Sequence, residues 1–205
     1  MKSFLFLFAE SAREFKKVRC IALTGVLIAI SVLIESISIS TPMFKINFAF
    51  LAIAIIGMLF GPTVAFFSGA LCDIAGFLVH PDGGFLWAYV PVAMLQGLIY
   101  GICLYRRANA HSLVFVRNSD KKSTDITLFV KIVCARLLDV VIINIFINTR
   151  LNMYYGFIPD SIYSEAIIAR TTKNILELIV DIPMMFILLP LALLIFNKSF
   201  SRASA

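Results

Sequence analysis

Ile147-Asn148-Thr149-Arg150-Leu151-Asn152-Met153-Tyr154-Tyr155-Gly156 interrupts an otherwise apolar chain with amides, a guanidinium and two phenols. Asn144 lies just upstream. After a short loop, Arg170, Lys173, Asn174 and Glu177 stand at the head of the last apolar run. A charge close to hydrocarbon costs about 2.5–3.5 kcal/mol or more unless it is paired or hydrated, so such a cluster marks a functional site by default. These residues are read as one wall of a binding pocket.

The surroundings are those of a membrane protein. Of the 205 residues, 60% are hydrophobic and 15% charged, against about 45–50% and about 25% in soluble domains. The longest polar interval, Arg106 to Asp125, is too short for a soluble domain. The chain therefore reads as one membrane domain over residues 1–205, an all-α compact bundle of six transmembrane helices within 18–196, preceded by an N-terminal amphipathic segment (1–17) and followed by a cytoplasmic tail (197–205).

In the first segment, Phe4, Phe8, Ala12 and Phe15 recur at helical spacing opposite Glu10, Arg13, Glu14 and Lys17. That pattern predicts a helix on the inner membrane surface or docked on a partner. The six apolar runs are Val18–Ile39, Ile46–Phe60, Thr63–Val79, Phe85–Tyr105, Ile126–Asn148 and Thr172–Phe196. Most suffice for about 30 Å of hydrocarbon, but the second reaches only about 22 Å at 1.5 Å per residue. Gly61-Pro62 joins the second to the third through a tight turn, and His80-Pro81-Asp82-Gly83-Gly84 joins the third to the fourth.

The cations set the orientation. Lys2, Arg13, Lys16, Lys17, Arg19, Arg106, Arg107, Arg117, Lys121, Lys122, Lys198 and Arg202 fall on one side if both termini are cytoplasmic, which the positive-inside bias favours. The outer half holds Lys45, Arg150, Arg170 and Lys173, and their convergence would suit an extracellular anion. Nucleic acid is not an expected partner, because the +6 charge sits beside membrane spans.

Catalytic chemistry finds no foothold. His80 and His111 fall on opposite sides, and Cys20, Cys72, Cys103 and Cys134 are scattered without a C-x-x-C pair, so neither a metal site nor a disulfide set is expected. No G-x-x-x-x-G-K-[ST] loop is present, so energy from ATP must enter through another chain. Ala22, Gly25 and Ala29, and Ala65, Gly69, Ala75 and Gly76, are small residues that let helices approach closely. They read either as internal packing or as a docking face for a second membrane protein.

The ordered set Gly57-Met58-Leu59-Phe60-Gly61-Pro62, Gly69-Ala70-Leu71-Cys72-Asp73-Ile74-Ala75-Gly76-Phe77, Pro81-Asp82-Gly83-Gly84, Gly97-Leu98-Ile99-Tyr100-Gly101, Asn148-Thr149 with Tyr155-Gly156, and Arg170-x-x-Lys173-Asn174 resembles the folate-type substrate-binding S component of energy-coupling factor (ECF) transporters. Arg150 departs from the apolar residue expected after Asn-Thr. The resemblance implies a six-helix, multi-pass cell-membrane protein that captures folate or a related vitamin. It implies docking, through small residues of the first helices, on a transmembrane T component carrying two ABC-type ATPases that use ATP, and release by toppling in the bilayer. No cofactor is implied in this chain.

Folate chemistry can be set against the residues. A pterin edge offers two adjacent N–H donors, which suit a carboxylate, and Asp73 is the first choice, with an ion pair to Arg136 as the alternative. Glutamate carboxylates call for cations near the mouth. Arg170 and Lys173 share a face if the last helix begins early enough, although Lys173 can instead pair with Glu177. Asn148 could orient the ligand or cross-link helices. Phe77 and Tyr154 could stack on it or simply pack, and Trp87 with Tyr89 reads as ligand rim or interfacial belt. Arg136 and Asp139 read as a mutually compensating buried pair. The rival functions are an S component for riboflavin, thiamine or a queuosine precursor, a scaffold without a small ligand, and a membrane enzyme.

Overall fold

The computed structural model describes residues 2–36, 39–40, 45–46, 48–81, 84–105, 121–159 and 163–201. In chain order they form α1 (Lys2–Glu14), α2 (Val18–Ser36), the short strands β1 (Ile39–Ser40) and β2 (Lys45–Ile46), α3 (Phe50–Phe60), α4 (Pro62–Val79), α5 (Tyr89–Leu104), α6 (Lys121–Leu138), a π-helical stretch (Asp139–Ile147), α7 (Asn148–Tyr154) and α8 (Tyr163–Ser201). The fold is helical, with one addition to the expected all-α bundle: β1 and β2 pair antiparallel, Ile39 opposite Ile46. Asp82, Gly83, His111 and the cations Arg106, Arg107, Arg117 and Arg202 lie outside the described residues.

The helices differ from the apolar runs at their ends, and each difference has a reason. Among the described residues, α2, α4 and α8 are long and apolar enough to cross a membrane, while α3 and α5 are apolar but shorter. α3 starts at Phe50, later than the expected Ile46, and Leu51, Ala54, Ile56 and Met58 are all buried. A helix that is apolar all round belongs inside a bundle. Its neighbours α2, α4, α5 and α8 cover it, so its length need not match the lipid.

The polar decapeptide does not break the fifth run. α6, the π stretch and α7 follow one another without interruption, so Asn148 to Tyr154 form the last turns of one rod beginning at Lys121. The rod stops at Gly156, whose φ of 75° is open to glycine at little cost. The amides of Gly156 and Phe157 return to the carbonyls of Met153 and Asn152, both at 2.8 Å. α8 begins at Tyr163, well before the expected Thr172, and brings Arg170 and Lys173 onto a helix. It continues through Pro183 and Pro190 to Ser201, so the start of the expected tail is helical.

Glycines set the closest approach in the bundle. A Cβ on Gly69 would collide with the carbonyl of Ala93 on α5, and one on Gly97 would collide with the carbonyl of Ala65 on α4. The small pairs Ala65/Gly69 and Ala93/Gly97 thus interlock across antiparallel helices, each glycine receiving the partner's backbone. Of the two readings of Ala65 and Gly69, internal packing rather than a docking face fits their places: both are buried against α5. Ala22, Gly25 and Ala29 are exposed on α2, and among the described residues nothing lies within 4 Å of where a Cβ on Gly25 would sit.

The α3–α4 turn is held from outside its own helices. Gly61 adopts φ 88° and ψ −175°, a conformation essentially restricted to glycine. Ser11 of α1 donates to the Phe60 carbonyl at 2.7 Å and accepts from the amides of Thr63 at 3.0 Å and Val64 at 3.3 Å. It therefore caps α4 from a different helix, satisfying amides that the first turn leaves unpaired. Thr63 adds a bond from its hydroxyl to the Phe8 carbonyl at 3.0 Å.

Two substitutions separate these roles. Gly97→Val should lower stability in detergent by about 3 kcal/mol or more, because the backbone of α4 cannot yield as a side chain would. Gly25→Leu, placed in open space, should leave the melting temperature within the spread of surface changes, about 0.5 kcal/mol. Thermal melting followed by circular dichroism reads both.

Candidate functional site

The polar groups lie in two layers. The deep layer is built round Arg136 on α6, which is buried among apolar helices. Its Nε donates to Asp181 of α8 at 3.0 Å, a second guanidinium nitrogen reaches the same carboxylate, and a third pairs with Asp139 and donates to the Tyr100 hydroxyl at 3.1 Å. Asp139 also accepts from Gln96 at 2.9 Å and Tyr100 at 3.0 Å. The guanidinium packs 3.9 Å from the centre of the Phe50 ring, which stacks on Tyr100 at 6.3 Å. The expected Arg136–Asp139 pair is present, and Asp181 is the partner that the sequence reading missed. Arg136 engages Asp139 and Asp181, so the layer supplies a partner set other than the proposed alternative of Asp73.

The outer layer is different. Tyr89, first residue of α5, donates its hydroxyl to Asn152 of α7 and stacks its ring on Tyr155 at 6.4 Å. Arg170 of α8 lies within electrostatic reach of that hydroxyl. Asn148 Nδ2 donates to Asn144 Oδ1 at 3.4 Å, and Asn174 Nδ2 donates to the Arg170 carbonyl at 2.7 Å. Five buried side-chain atoms among the described residues have no hydrogen-bond partner, and four are here: Asn148 Oδ1, Thr149 Oγ1, Arg170 Nε and Asn174 Oδ1. The fifth, Glu10 Oε2, belongs to α1. Thr149 is 0% and Asn174 2% exposed, so bulk water does not compensate them.

Leaving a buried donor or acceptor unmade costs about 1–3 kcal/mol. Several such atoms on two neighbouring helices fit a surface built to meet a polar molecule that both donates and accepts. α8 packs against the π stretch that precedes α7, and Arg150 of α7 lies over the Tyr163 ring at the start of α8.

The remaining predicted residues take varied places. Lys173 is paired with Glu177 at 2.9 Å, the alternative its spacing allowed. Phe77 packs on Phe85 at 4.9 Å and Phe85 on Trp87 at 4.8 Å, forming an aromatic row from α4 into the following loop. Trp87 is 74% and Tyr154 82% exposed, as interfacial aromatics are. Asp73 is half-buried one turn below Phe77. Glu35 of α2 rests its carboxylate over Gly76, and both Glu35 and Asp73 act electrostatically on Cys72. Arg150 is exposed, 5.1 Å from the centre of the Tyr163 ring, and so clips α7 to the start of α8.

Asn152 and Thr149 carried no individual role in the sequence reading beyond belonging to the polar decapeptide, and Tyr89 was read there only with Trp87 as rim or interfacial belt. Tyr89 looked like any interfacial phenol, and its link to Asn152 appears only when α5 and α7 are brought together. Among the described residues no group of three or more His, Cys, Asp or Glu side chains is arranged to hold a metal.

Comparison with known proteins identifies the family and the fold. The family model described as "ECF transporter, substrate-specific component" matches residues 19–192. The folate transporter FolT of Clostridium novyi (strain NT) is 35% identical over 71 residues, covering 35% of this chain and 41% of that protein. FolT of Leuconostoc mesenteroides subsp. mesenteroides is 24% identical over 88 residues, covering 43% and 48%. The matched stretch thus spans less than half of either curated relative. A crystal structure of FolT bound with folic acid superposes with a TM-score of 0.65 at 25% identity, over 86% of this chain and 94% of that one.

If Thr149 Oγ1 has no partner in the ligand-free protein, the near-isosteric Thr149→Val should keep or raise its melting temperature. A loss of about 1 kcal/mol or more would show that the hydroxyl is already satisfied within the protein.

Proposed function

We propose that this chain, which belongs to the family of ECF transporter substrate-specific components, is a folate-binding subunit that captures the vitamin at its outer face. Membership makes it a transporter component and not an enzyme. The observation that carries the ligand reading is the group of unpartnered buried atoms on α7 and α8, in a fold that aligns along most of its length with a protein solved with folic acid.

The chemistry fits in three parts. The glutamate tail is anionic, and Arg170 offers a planar guanidinium whose Nε has no partner among the described residues. The amide linkages of folate both donate and accept, as Asn148, Thr149 and Asn174 require. The pterin edge donates to a carboxylate, for which Asp73 is proposed, with Phe77 beside it for ring contact. Trp87 and Tyr154 form the rim. Lys173 has a lesser part, because Glu177 already neutralises it.

Delivery needs other chains. Ala22, Gly25 and Ala29 leave a shallow strip on α2, flanked by exposed Ile21, Val26 and Ile30. A strip of this kind admits a close helix contact, and its proposed occupant is the T component, whose two ATPases supply the energy. The proposed topology is six crossings with both termini cytoplasmic, made by α2, α3, α4, α5, the α6–α7 rod and α8.

The direct test is titration of the purified protein in detergent with folate, riboflavin and thiamine, followed by calorimetry. Saturable folate binding is expected, and Arg170→Ala should weaken it by about 1.5–3 kcal/mol with the fold intact. Binding of another vitamin would discard folate, and binding of none by a folded protein would overturn the ligand reading. In cells carrying the partner subunits, Gly25→Leu should suppress uptake and leave folate affinity unchanged. Loss of both together would count against α2 as the docking face.

A further inference from the structure

The deep layer lies beneath the proposed ligand contacts, at the point where the rod changes its winding. From Asp139 to Ile147 the backbone bonds run i→i+5, closing with the Asn148 amide on the Ile143 carbonyl. Such winding is mostly confined to single turns inside α-helices and is frequent at functional sites. A stretch this long needs tertiary contacts that favour it over ordinary helix.

Those contacts pin it at both ends to one neighbour. At the lower end, Asp139 is 0% exposed and bonded to Gln96 and Tyr100 of α5. At the upper end, Asn152 accepts from Tyr89 at the start of α5. Between the pins, Ile143, Ile147 and Leu151 pack with Val92, Leu95 and Ile99. Asn152 stands thirteen positions after Asp139, whereas Tyr100 stands eleven positions after Tyr89. At α-helical rise these correspond to about 19.5 Å and about 16.5 Å. Wider turns absorb the surplus, and they also change the direction in which every later side chain points.

We propose that Asp139 is a positioning residue for ligand binding: by anchoring the rod to α5 it imposes the π winding that sets the direction of Asn144, Asn148 and Thr149. Arg136, held in turn by Asp181, fixes the Asp139 carboxylate for that task. Freed from the anchor, the stretch relaxes toward α-helix and rotates the three polar residues away from their present places. The inference rests on the folate reading for its affinity readout alone.

The test replaces the whole ionic set by apolar residues, Arg136→Met with Asp139→Leu and Asp181→Leu, so that no charge is left buried without a partner. Substitutions of this type are often tolerated or stabilising. The variant should melt cooperatively, yet in the ligand-free state the amides of residues 140–148 should exchange with deuterium at a changed rate, and folate affinity should fall about tenfold or more. A folded variant with wild-type exchange over 140–148 and wild-type affinity overturns the proposal, because it leaves the network a purely structural part. Should the triple variant not fold, Asp139→Asn keeps the shape and one acceptor, and the same two readouts decide with the same outcomes. If the wild-type protein binds no folate, the functional reading fails by itself, and the ligand-free exchange still decides the role of Asp139.

Discussion

A guanidinium surrounded by apolar helices must be enclosed by acceptors, and the bundle is built so that Arg136 is. Asp139 comes from the same rod, Asp181 from α8, and Tyr100 and Gln96 from α5, with the Phe50 ring of α3 closing over the charge. Breaking one member of such a set leaves an uncompensated buried charge, which costs about 3–5 kcal/mol. Four helices are thereby held in register at one depth. The interlocked glycines of α4 and α5 do the same for the other half of the bundle by contact alone.

The two polar layers differ in how far their groups are satisfied. In the deep layer donors and acceptors answer one another. In the outer layer Asn148, Thr149, Arg170 and Asn174 keep buried atoms that no group among the described residues satisfies. Both layers are carried by the same two elements, the α6–α7 rod and α8, so the closed layer steadies the open one. A rigid support for a few convergent polar groups is what a selective small-molecule site requires.

Much of this was legible in the chain. The apolar runs identified the helices, since length and hydropathy in a membrane protein leave few alternatives. Arg170, Asn148 and Asn174 draw the eye in the sequence because polar groups stand out against such a background. Element ends were less legible: α3 is shorter than its apolar run because Ile46 is used in a strand pair, and the polar decapeptide extends a helix instead of ending one. Ala65 and Gly69 show why a small-residue pattern is ambiguous. Spacing states that a backbone can approach, but not whether it belongs to α5 of the same chain or to a partner. Asp181 was missed as a partner of Arg136 because the two are 45 residues apart, and the π winding left no mark in hydrophobic periodicity.

The most direct measurement of the central claim is a structure of this protein with folate bound. Ligand polar atoms are expected within hydrogen-bonding distance of Arg170 Nε, Asn148 Oδ1 and Asn174 Oδ1. Folate seated elsewhere, with these atoms satisfied by protein groups alone, would contradict it.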